Sequence, residues 1–183
     1  AGNPERVLMF ASTSKMTFPG AGVAMMGGSK TTMKWVRERL GAQTIGPDKL
    51  NLLRHLLFFK DLAGIRAHMD RHAAILAPKF AAVQEVLERE LGGSGLATWT
   101  RPRGGYFVSL ETRPGCAARA LDLAAELGVK FTWAGSTWPY GKDPHDTNIR
   151  IAPTLPPLEQ IRSAVEVLTV CIRQATLEKE QRE

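Results

Sequence analysis

The chain lacks most of the features that would place it outside the ordinary globular class. Its 183 residues include only two cysteines, Cys116 and Cys171, which have no motif spacing. We therefore expect buried free thiols in a reducing cytoplasm and no disulfide framework. No stretch approaches the roughly eighteen apolar residues of a membrane span, and no signal peptide is visible. These absences favour a cytoplasmic protein without a membrane partner.

Charge of one sign is never concentrated in this sequence. The chain has 24 Lys and Arg against 18 Asp and Glu, which gives a net charge of +6 and a sequence pI near 9.6. Runs of about five like charges, which are typical of nucleic-acid arms, do not occur. The excess of positive charge therefore favours small anionic ligands, such as phosphates and carboxylates, over nucleic acid.

Three ligand-binding motifs are approached but not completed. The run from Gly20 to Met25 lacks the third glycine of a dinucleotide fingerprint, and no acidic residue follows at the expected distance. The run from Gly22 to Ser29 resembles a phosphate-binding P-loop, but its lysine follows the serine instead of preceding it. His68 and His72 lie one helical turn apart without an obvious third ligand, so we expect no metal site.

What the sequence does contain is an alternation of strand and helix patterns, which indicates an α/β or α+β class. The 44% hydrophobic share is that of a chain that forms a core. Pro78 is expected to kink or interrupt the longest helix, and the charged tail 178–183 is expected to fray. The patterns predict strands at 7–11, 22–26, 96–100, 105–110, 129–133 and 148–152, and helices at 30–40, 48–91, 116–127 and from 157 onward.

The segment Ala11-Ser12-Thr13-Ser14-Lys15 is the most informative stretch. It follows the apolar run 7–10, which predicts a buried strand, and it precedes a Pro-Gly-Ala-Gly bend at 19–22. A lysine in a dry position at a strand end can act as an amine nucleophile toward an aldehyde. Ser12 and Ser14 are small enough to donate hydrogen bonds to a phosphate without crowding it. The alternative is a solvated loop lysine.

A second group of candidate residues surrounds Arg150. In the sequence Asn148-Ile149-Arg150-Ile151, the two isoleucines of a strand point to one face and Arg150 points to the other. Arg150 is then either a surface charge or a fork that holds a substrate carboxylate by two parallel hydrogen bonds. The preceding loop, 134–147, is rich in glycine and aromatic residues and could fold over such a ligand.

Taken together, these segments resemble a known family. The Ser-x-Ser-Lys segment, the Gly-Gly-Tyr-Phe at 104–107 and the Asn-Ile-Arg-Ile segment occur in the order and at about the spacing found in fold-type I, pyridoxal-phosphate-dependent aminotransferases. The chain is similar to their C-terminal part, and most similar to the bacterial aspartate-aminotransferase-like group. The resemblance implies the end of the large-domain sheet, a long connecting helix and an α+β small domain. It places the large cofactor-binding domain at residues 1–60 and the connecting helix and small domain at 61–183.

The resemblance also implies a role for individual residues. Lys15 would form the Schiff base with pyridoxal 5′-phosphate, and it would then move the proton between the substrate Cα and the cofactor. Ser12 would donate to the phosphate, with Ser14 as a weaker candidate and the backbone around Gly22 close by. Arg150 would bind the α-carboxylate of an amino acid or a 2-oxo acid. A homodimer is implied in the same way.

Two departures from the family pattern matter. Most relatives carry a phosphate-binding arginine eight residues after the lysine, where this chain has Val23. Ser12, the backbone at 20–22 or Lys30 would have to compensate. The chain also begins with Ala1 and enters a strand almost at once, so the resemblance implies a protein of roughly twice this length, of which this part alone is inactive. A second cation for a dicarboxylic substrate could be Arg37, Arg101 or Arg103.

Two other functions stay open at this point. The same module occurs behind a helix-turn-helix in some transcriptional regulators, where it binds an effector and where the protein would also bind nucleic acid. A non-catalytic interaction domain, in which Lys15 is an ordinary loop lysine, is the third alternative.

Overall fold

The computed structural model describes residues 2–182, which form two compact units that meet in sequence between Ala74 and Ile75. The boundary between the units lies inside the longest helix, α3. Short 3-10 helices occur at Pro4–Arg6 and Pro139–Gly141. In chain order the regular elements are β1 Met9–Ser12, β2 Ala24–Gly27, α1 Lys30–Gln43, α2 Lys49–Phe59, α3 Leu62–Leu91, β3 Ala97–Trp99, β4 Val108–Thr112, α4 Ala117–Glu126, β5 Asn148–Ile151 and α5 Leu158–Glu180.

In the first unit, β1 and β2 form an antiparallel pair in which Met9 faces Gly27 and Ser12 faces Ala24. The expectation of a buried strand is wrong for the described residues, because all four residues of β1 are exposed. Phe10, for example, is 72% exposed. The physical reason is that β1 is hydrogen-bonded to a single neighbouring strand and that neither face of the pair is covered.

Both helices of the first unit begin where the sequence predicts. The Ser29 hydroxyl accepts a hydrogen bond from the Thr32 N–H at the start of α1, and the Asp48 carboxylate accepts one from the Asn51 N–H at the start of α2. These side chains satisfy backbone donors that have no partner within the first turn of a helix. Helix α1 extends to Gln43, two residues beyond the predicted stop at Gly41.

Helix α3 passes through Pro78 without an interruption, so of the two predicted effects, a kink or an interruption, the interruption does not occur. Proline removes one backbone hydrogen bond from a helix interior. The residues that follow it compensate, since Val83, Val86 and Leu87 are completely buried in the core of the second unit and hold that half of the helix in place. The break in the predicted 48–91 helix lies instead at residues 60–61, where Lys60 has a positive φ of 64°.

The second unit is built on a three-stranded antiparallel sheet in the order β3-β4-β5. Helices α3, α4 and α5 supply the rest of its core, in which both cysteines are buried as free thiols. Strands β3 and β4 confirm the hairpin predicted from the strands at 96–100 and 105–110, and α4 confirms the helix predicted at 116–127. The largest completely buried side chains belong to α3, β4, β5 and α5: Leu87, Leu91, Leu110, Ile149, Leu168 and Ile172.

Two further predictions in this unit are wrong. Residues 129–133 alternate like a strand but pair with none; the Val129 N–H closes the end of α4 by donating to the Ala124 carbonyl instead. The tail does not fray at residue 178, since α5 continues to Glu180 and Glu178 binds the Arg119 guanidinium. Within residues 2–182, no helix combines the length and the apolar character needed to cross a bilayer.

Candidate active site

Lys15 lies in the loop that joins β1 to β2. The Thr13 N–H donates to the Val23 carbonyl at 2.9 Å, so the two limbs of the loop begin side by side. The Met16 and Thr17 N–H groups both donate to the Thr13 carbonyl, at 2.8 and 2.9 Å, and wind residues 13–17 into one helical turn. Lys15 is exposed on that turn. The dry environment expected for this lysine is therefore absent from the described residues, for the same reason that β1 is exposed.

The two serines meet in front of this turn. Their hydroxyl oxygens lie 2.7 Å apart, and the Ser14 N–H donates to Ser12 Oγ at 3.1 Å. Gly22 lies directly behind them, because a Cβ built on Gly22 would meet Ser14 Oγ at 2.4 Å and the Ser14 Cα at 2.8 Å. Only glycine allows the return limb to approach the serines this closely. The result is a small, exposed group of hydrogen-bond donors with no acidic residue between positions 12 and 24.

Val23, which stands where the resemblance leads us to expect an arginine, has a structural role in this loop. Its N–H donates to Thr13 Oγ1 at 2.8 Å and its carbonyl accepts from the Thr13 N–H. It thereby fixes the distance between the limbs but offers no charge to a phosphate. Lys30, the candidate substitute, is exposed as the first residue of α1. Its contribution stays a prediction.

Arg150 occupies the position in β5 that the alternation predicts. Ile149 and Ile151 are buried in the core, whereas Arg150 is half-buried on the other face. Its guanidinium carbon lies 4.6 Å from the centre of the Phe107 ring, which gives a cation–π contact. Nη2 is 3.5 Å from Thr132 Oγ1, a long contact for a hydrogen bond.

The guanidinium of Arg150 retains most of its hydrogen-bonding capacity. Among residues 2–182 it forms no ion pair with a carboxylate, and its Nε is buried without a hydrogen-bond partner. It borders a cavity of about 170 Å³ between the 129–132 segment and the start of α5. An arginine held by an aromatic ring and left unpaired is suited to binding an anionic group of a ligand.

The loop that precedes Arg150 is organised around Asp143. Its carboxylate accepts hydrogen bonds from the backbone N–H groups of His145, Thr147 and Asn148 at 3.0, 2.9 and 2.9 Å. Burial raises the pKa of the Asp143 carboxyl, but these hydrogen bonds outweigh it and hold the pKa below its ordinary value. The loop predicted at 134–147 is thus confirmed as a loop, and it is an ordered one.

Asn148 connects this loop to the sheet. Its side-chain amide donates to Ser109 Oγ at 2.8 Å and to the Glu111 carboxylate, and its oxygen accepts from the Thr137 hydroxyl at 2.6 Å. Ser109 is the register partner of Arg150. Asn148 therefore fixes β5, the strand that carries Arg150.

The structure brings some of the predicted site residues together. Ser12, Ser14, Lys15 and Gly22 share one loop of the first unit, whereas Arg150 belongs to the second unit. His68 and His72 have ring centroids 4.3 Å apart, but the described residues contain no group of three or more side chains that could hold a metal. The sequence reasoning missed Thr132, which has no motif signal. Phe107 stands in the quoted Gly-Gly-Tyr-Phe segment, but its contact with Arg150 was not predicted.

The fold is that of pyridoxal-phosphate-dependent aminotransferases of fold type I. The chain superimposes on an aspartate transaminase from Corynebacterium glutamicum with a TM-score of 0.93 and 45% sequence identity, over 97% of this chain and 42% of that chain. It also matches an α-aminoadipate aminotransferase from Thermus thermophilus, solved in complex with N-(5′-phosphopyridoxyl)-L-leucine, with a TM-score of 0.75. That match has 23% identity and covers 93% of this chain and 42% of that one.

Sequence comparison places the chain more narrowly. The family model described as aspartate amino-transferase matches residues 1–183. A Mycolicibacterium smegmatis relative is 53% identical over 178 residues, which are 97% of this chain and 42% of that protein. An aspartate aminotransferase of Corynebacterium glutamicum is 46% identical over 178 residues, 97% of this chain and 41% of that protein. The chain therefore belongs to the aspartate aminotransferase family.

The resemblance seen in the sequence is thus confirmed at the level of family and fold. The chain spans about two fifths of the length of the curated relatives it matches. The relatives named above are aminotransferases, and they give no support to the alternative of a transcriptional regulator.

Proposed function

We propose that the protein is a pyridoxal-phosphate-dependent aminotransferase that moves an amino group from an amino acid to a 2-oxo acid, and that Lys15 is its catalytic residue. The observation that carries the proposal is the loop at 12–23, in which two serine hydroxyls meet 2.7 Å apart in front of a glycine that admits no Cβ. The lysine stands on the turn that begins between these serines.

The residues of this loop fit the cofactor's phosphate. Ser12 and Ser14 provide hydroxyl donors, Gly22 keeps the space beside them narrow, and the segment carries no negative charge that would repel an anion. Ser12 is the principal phosphate-binding residue in this proposal and Ser14 the secondary one. Lys30 supplies positive charge in place of the arginine that Val23 replaces.

When bound, pyridoxal 5′-phosphate supplies an aldehyde for the amino group and a ring that accepts the electron pair left on the substrate Cα. Lys15 would hold the cofactor through its amine in the resting protein. With a substrate bound, the Lys15 Nζ would be the group that carries the proton removed from the substrate Cα. One lysine can serve both purposes because its amine is a nucleophile and a base in turn.

Arg150 binds the α-carboxylate of the substrate. Its planar fork has donors that the described residues leave without an acceptor, and the Phe107 ring holds it from one side. Two parallel N–H···O bonds to a carboxylate fix the orientation of the substrate Cα as well as its position.

The finer properties are also proposals. Aspartate is the substrate suggested by the name of the Corynebacterium glutamicum relative, and 2-oxoglutarate is the acceptor that the family resemblance implies. Of the candidate second cations, Arg101 already pairs with Glu88 at 2.6 Å, which favours Arg37 and Arg103. A homodimer, a cytoplasmic location and the division into a cofactor-binding domain at 1–60 and a small domain at 61–183 remain predictions.

The decisive experiment is reduction with borohydride after loading with pyridoxal 5′-phosphate, followed by peptide mass spectrometry. We expect a single adduct, on Lys15. Lys15→Ala should lose the adduct and at least about a thousandfold in transamination rate, whereas Lys34→Ala, at an exposed position of α1, should keep both. An adduct on another lysine, or a Lys15→Ala protein of normal rate, would refute the assignment.

The role of Arg150 has a separate test. Arg150→Lys keeps the charge but not the fork, so we expect KM for the 2-oxo acid to rise by roughly ten- to a hundredfold. The Lys15 adduct should form as in the unsubstituted protein. An unchanged KM would show that Arg150 is an ordinary surface charge.

A further inference from the structure

Helix α2 contacts both limbs of the Lys15 loop. On the return limb, Asn51 Nδ2 donates to the Ala21 carbonyl at 2.8 Å. On the outgoing limb, His55 Nε2 lies 2.9 Å from the hydroxyl of Thr17, a residue that is only 3% exposed. Asn51 and His55 are one helical turn apart, so one face of α2 fixes both sides of the loop.

The backbone of α2 determines which nitrogen of His55 carries the proton. His55 Nδ1 lies 2.8 Å from the Asn51 carbonyl oxygen. A carbonyl oxygen only accepts hydrogen bonds, so Nδ1 must be the donor. In the neutral ring Nε2 then has a lone pair and no hydrogen, and the Thr17 hydroxyl donates to it.

Thr17 connects this histidine to Thr13. The Thr17 hydroxyl also lies within donating distance of two Thr13 oxygens, 3.0 Å from Oγ1 and 3.1 Å from the carbonyl oxygen, so its single hydrogen is shared among acceptors on one side of the turn. Thr13 Oγ1 in turn accepts from the Val23 N–H at 2.8 Å. Val23, Thr13, Thr17 and His55 therefore form one hydrogen-bond chain, which ends on the Asn51 carbonyl.

We propose that His55, as a neutral imidazole, is a positioning residue for Lys15, because it terminates a hydrogen-bond chain that connects α2 to both ends of the lysine turn. Lys15 stands between Thr13 and Thr17, the two hydroxyl residues of the chain. The His55 ring is itself held by aromatic neighbours, with its centroid 5.0 Å from that of Phe18 and 5.8 Å from that of Phe59. The functional meaning of this arrangement rests on the proposed role of Lys15.

Loss of the acceptor at His55 has a defined consequence. The Thr17 hydroxyl would turn to the Thr13 carbonyl, which is already 3.1 Å away. The Thr13 side chain would then be held less firmly, so its hydrogen bond to the Val23 N–H would open more often, and the turn would lose its connection to α2 on the outgoing limb. The lysine would then sample more orientations, which slows the proton transfer more than it weakens substrate binding.

The first part of the test is spectroscopic and needs no cofactor. In the full protein labelled with 15N-histidine, we expect the His55 ring to show a protonated Nδ1 and an unprotonated Nε2 at neutral pH. His55→Leu and the isosteric Thr17→Val should each accelerate hydrogen exchange of the Val23 amide by about three- to tenfold, the factor that corresponds to one hydrogen bond. Thr17→Ser and His55→Gln retain the hydroxyl and the acceptor and should stay near the original rate.

The second part separates this proposal from the proposed function. With pyridoxal 5′-phosphate bound, His55→Leu should still give the borohydride adduct on Lys15, with kcat lowered by about tenfold and KM nearly unchanged. A protonated Nε2, or an unchanged Val23 exchange rate in Thr17→Val, overturns the chain whatever the adduct shows. Absence of the adduct in the unsubstituted protein overturns the proposed function but leaves the spectroscopic result valid. If His55→Leu fails to fold, the Thr17→Val and Thr17→Ser pair decides alone.

Discussion

The two units of this chain bury their apolar residues to very different extents. The second unit has a closed core in which Leu87, Leu110 and Leu168 are completely buried. In the first unit, among the described residues, Phe59 and Thr17 are the buried ones. Large apolar side chains of β1, α1 and α2 are exposed there, including Phe10, Trp35, Leu50, Leu53, Leu56 and Leu57.

The difference in burial indicates which of the two units can be stably folded by itself. Apolar surface of this extent is rare on an isolated soluble unit and marks a region that other protein surface covers. The same exposed region carries Lys15, so the lysine's environment depends on contacts beyond the described residues. The unit that carries Arg150, by contrast, determines that residue's surroundings by itself.

Separating the units is the strongest way to break this comparison. Residues 75–183 alone should unfold cooperatively in urea and retain near-ultraviolet circular dichroism, because their core is intact. Residues 1–74 alone should bind a hydrophobic dye and show no cooperative transition. A cooperative transition in the 1–74 piece would contradict the inference that its apolar faces need a cover.

Matched leucine substitutions measure the same contrast within one chain. Leu87→Ala, in the closed core, should lower the free energy of unfolding by about 2–5 kcal/mol. Leu57→Ala, on the exposed face of α2 where this side chain is 67% exposed, should change it by less than about 0.5 kcal/mol. Denaturant titration of both variants of this 183-residue chain gives the comparison, and equal losses would show that the exposed face of α2 is already covered within it.

A glycine pair tests the loop of the first unit. Gly22→Ala places a Cβ against the Ser14 backbone and should destabilise the loop by about 1–3 kcal/mol, measured as faster amide exchange at Thr13. Gly41→Ala, inside α1 with no atom within 4 Å of the new Cβ, should instead stabilise its helix by about 0.5–1 kcal/mol. Similar exchange rates in both variants would mean that the serines do not need the close approach.

The smallest effect concerns an ion pair on the second unit. The Arg119 guanidinium, bonded to both oxygens of Glu178 at 2.7 and 3.1 Å, lowers the pKa of that carboxyl from 4.5 to about 2. A carboxyl whose pKa is lower in the folded state stabilises it above the ordinary value, here pH 4.5, and this contribution is lost as the pH falls toward 2.

Glu178→Gln should therefore reduce stability at neutral pH and flatten its dependence on pH between 4.5 and 2. Thermal unfolding of both proteins at a series of pH values measures this. Glu126→Gln is the control, because Glu126 makes a single contact of 3.3 Å with the same arginine. An identical pH dependence in Glu178→Gln and the unsubstituted protein would contradict the assignment.

Local signals were the most predictable part of the fold. Ser29 and Asp48 begin their helices because a side-chain acceptor next to a free N–H acts within a few residues. The alternation of buried isoleucines with Arg150 in β5 is an equally local pattern. The prediction of a strand at 129–133 is wrong because alternation shows only that one side of a segment is buried. Val129 and Phe131 pack against the core, but their segment pairs with no strand. Pro78 does not interrupt α3, because packing of Val83 and Leu87 outweighs one missing hydrogen bond.

The candidate site divides in the same way. Ser12, Ser14, Lys15 and Arg150 were named from the sequence, because residue types in a fixed order along the chain are visible there. The contact between Phe107 and Arg150 was not predicted, since no sequence pattern indicates that these two side chains meet. No sequence pattern indicates the role of His55. Its partner Thr17 is distant in sequence, and the tautomer of the His55 ring depends on the Asn51 carbonyl one helical turn earlier.

By itself, then, the sequence determined the family and predicted the lysine and the arginine of the site, because chemistry of this kind needs particular residue types in a particular order. Only the tertiary structure decided that the lysine turn is closed by Gly22 and connected to α2 through Thr17 and His55. It also decided that the apolar strand before the lysine is exposed. Hydrogen-bond direction and burial depend on which groups meet in space, and the order of residues along a chain does not specify that.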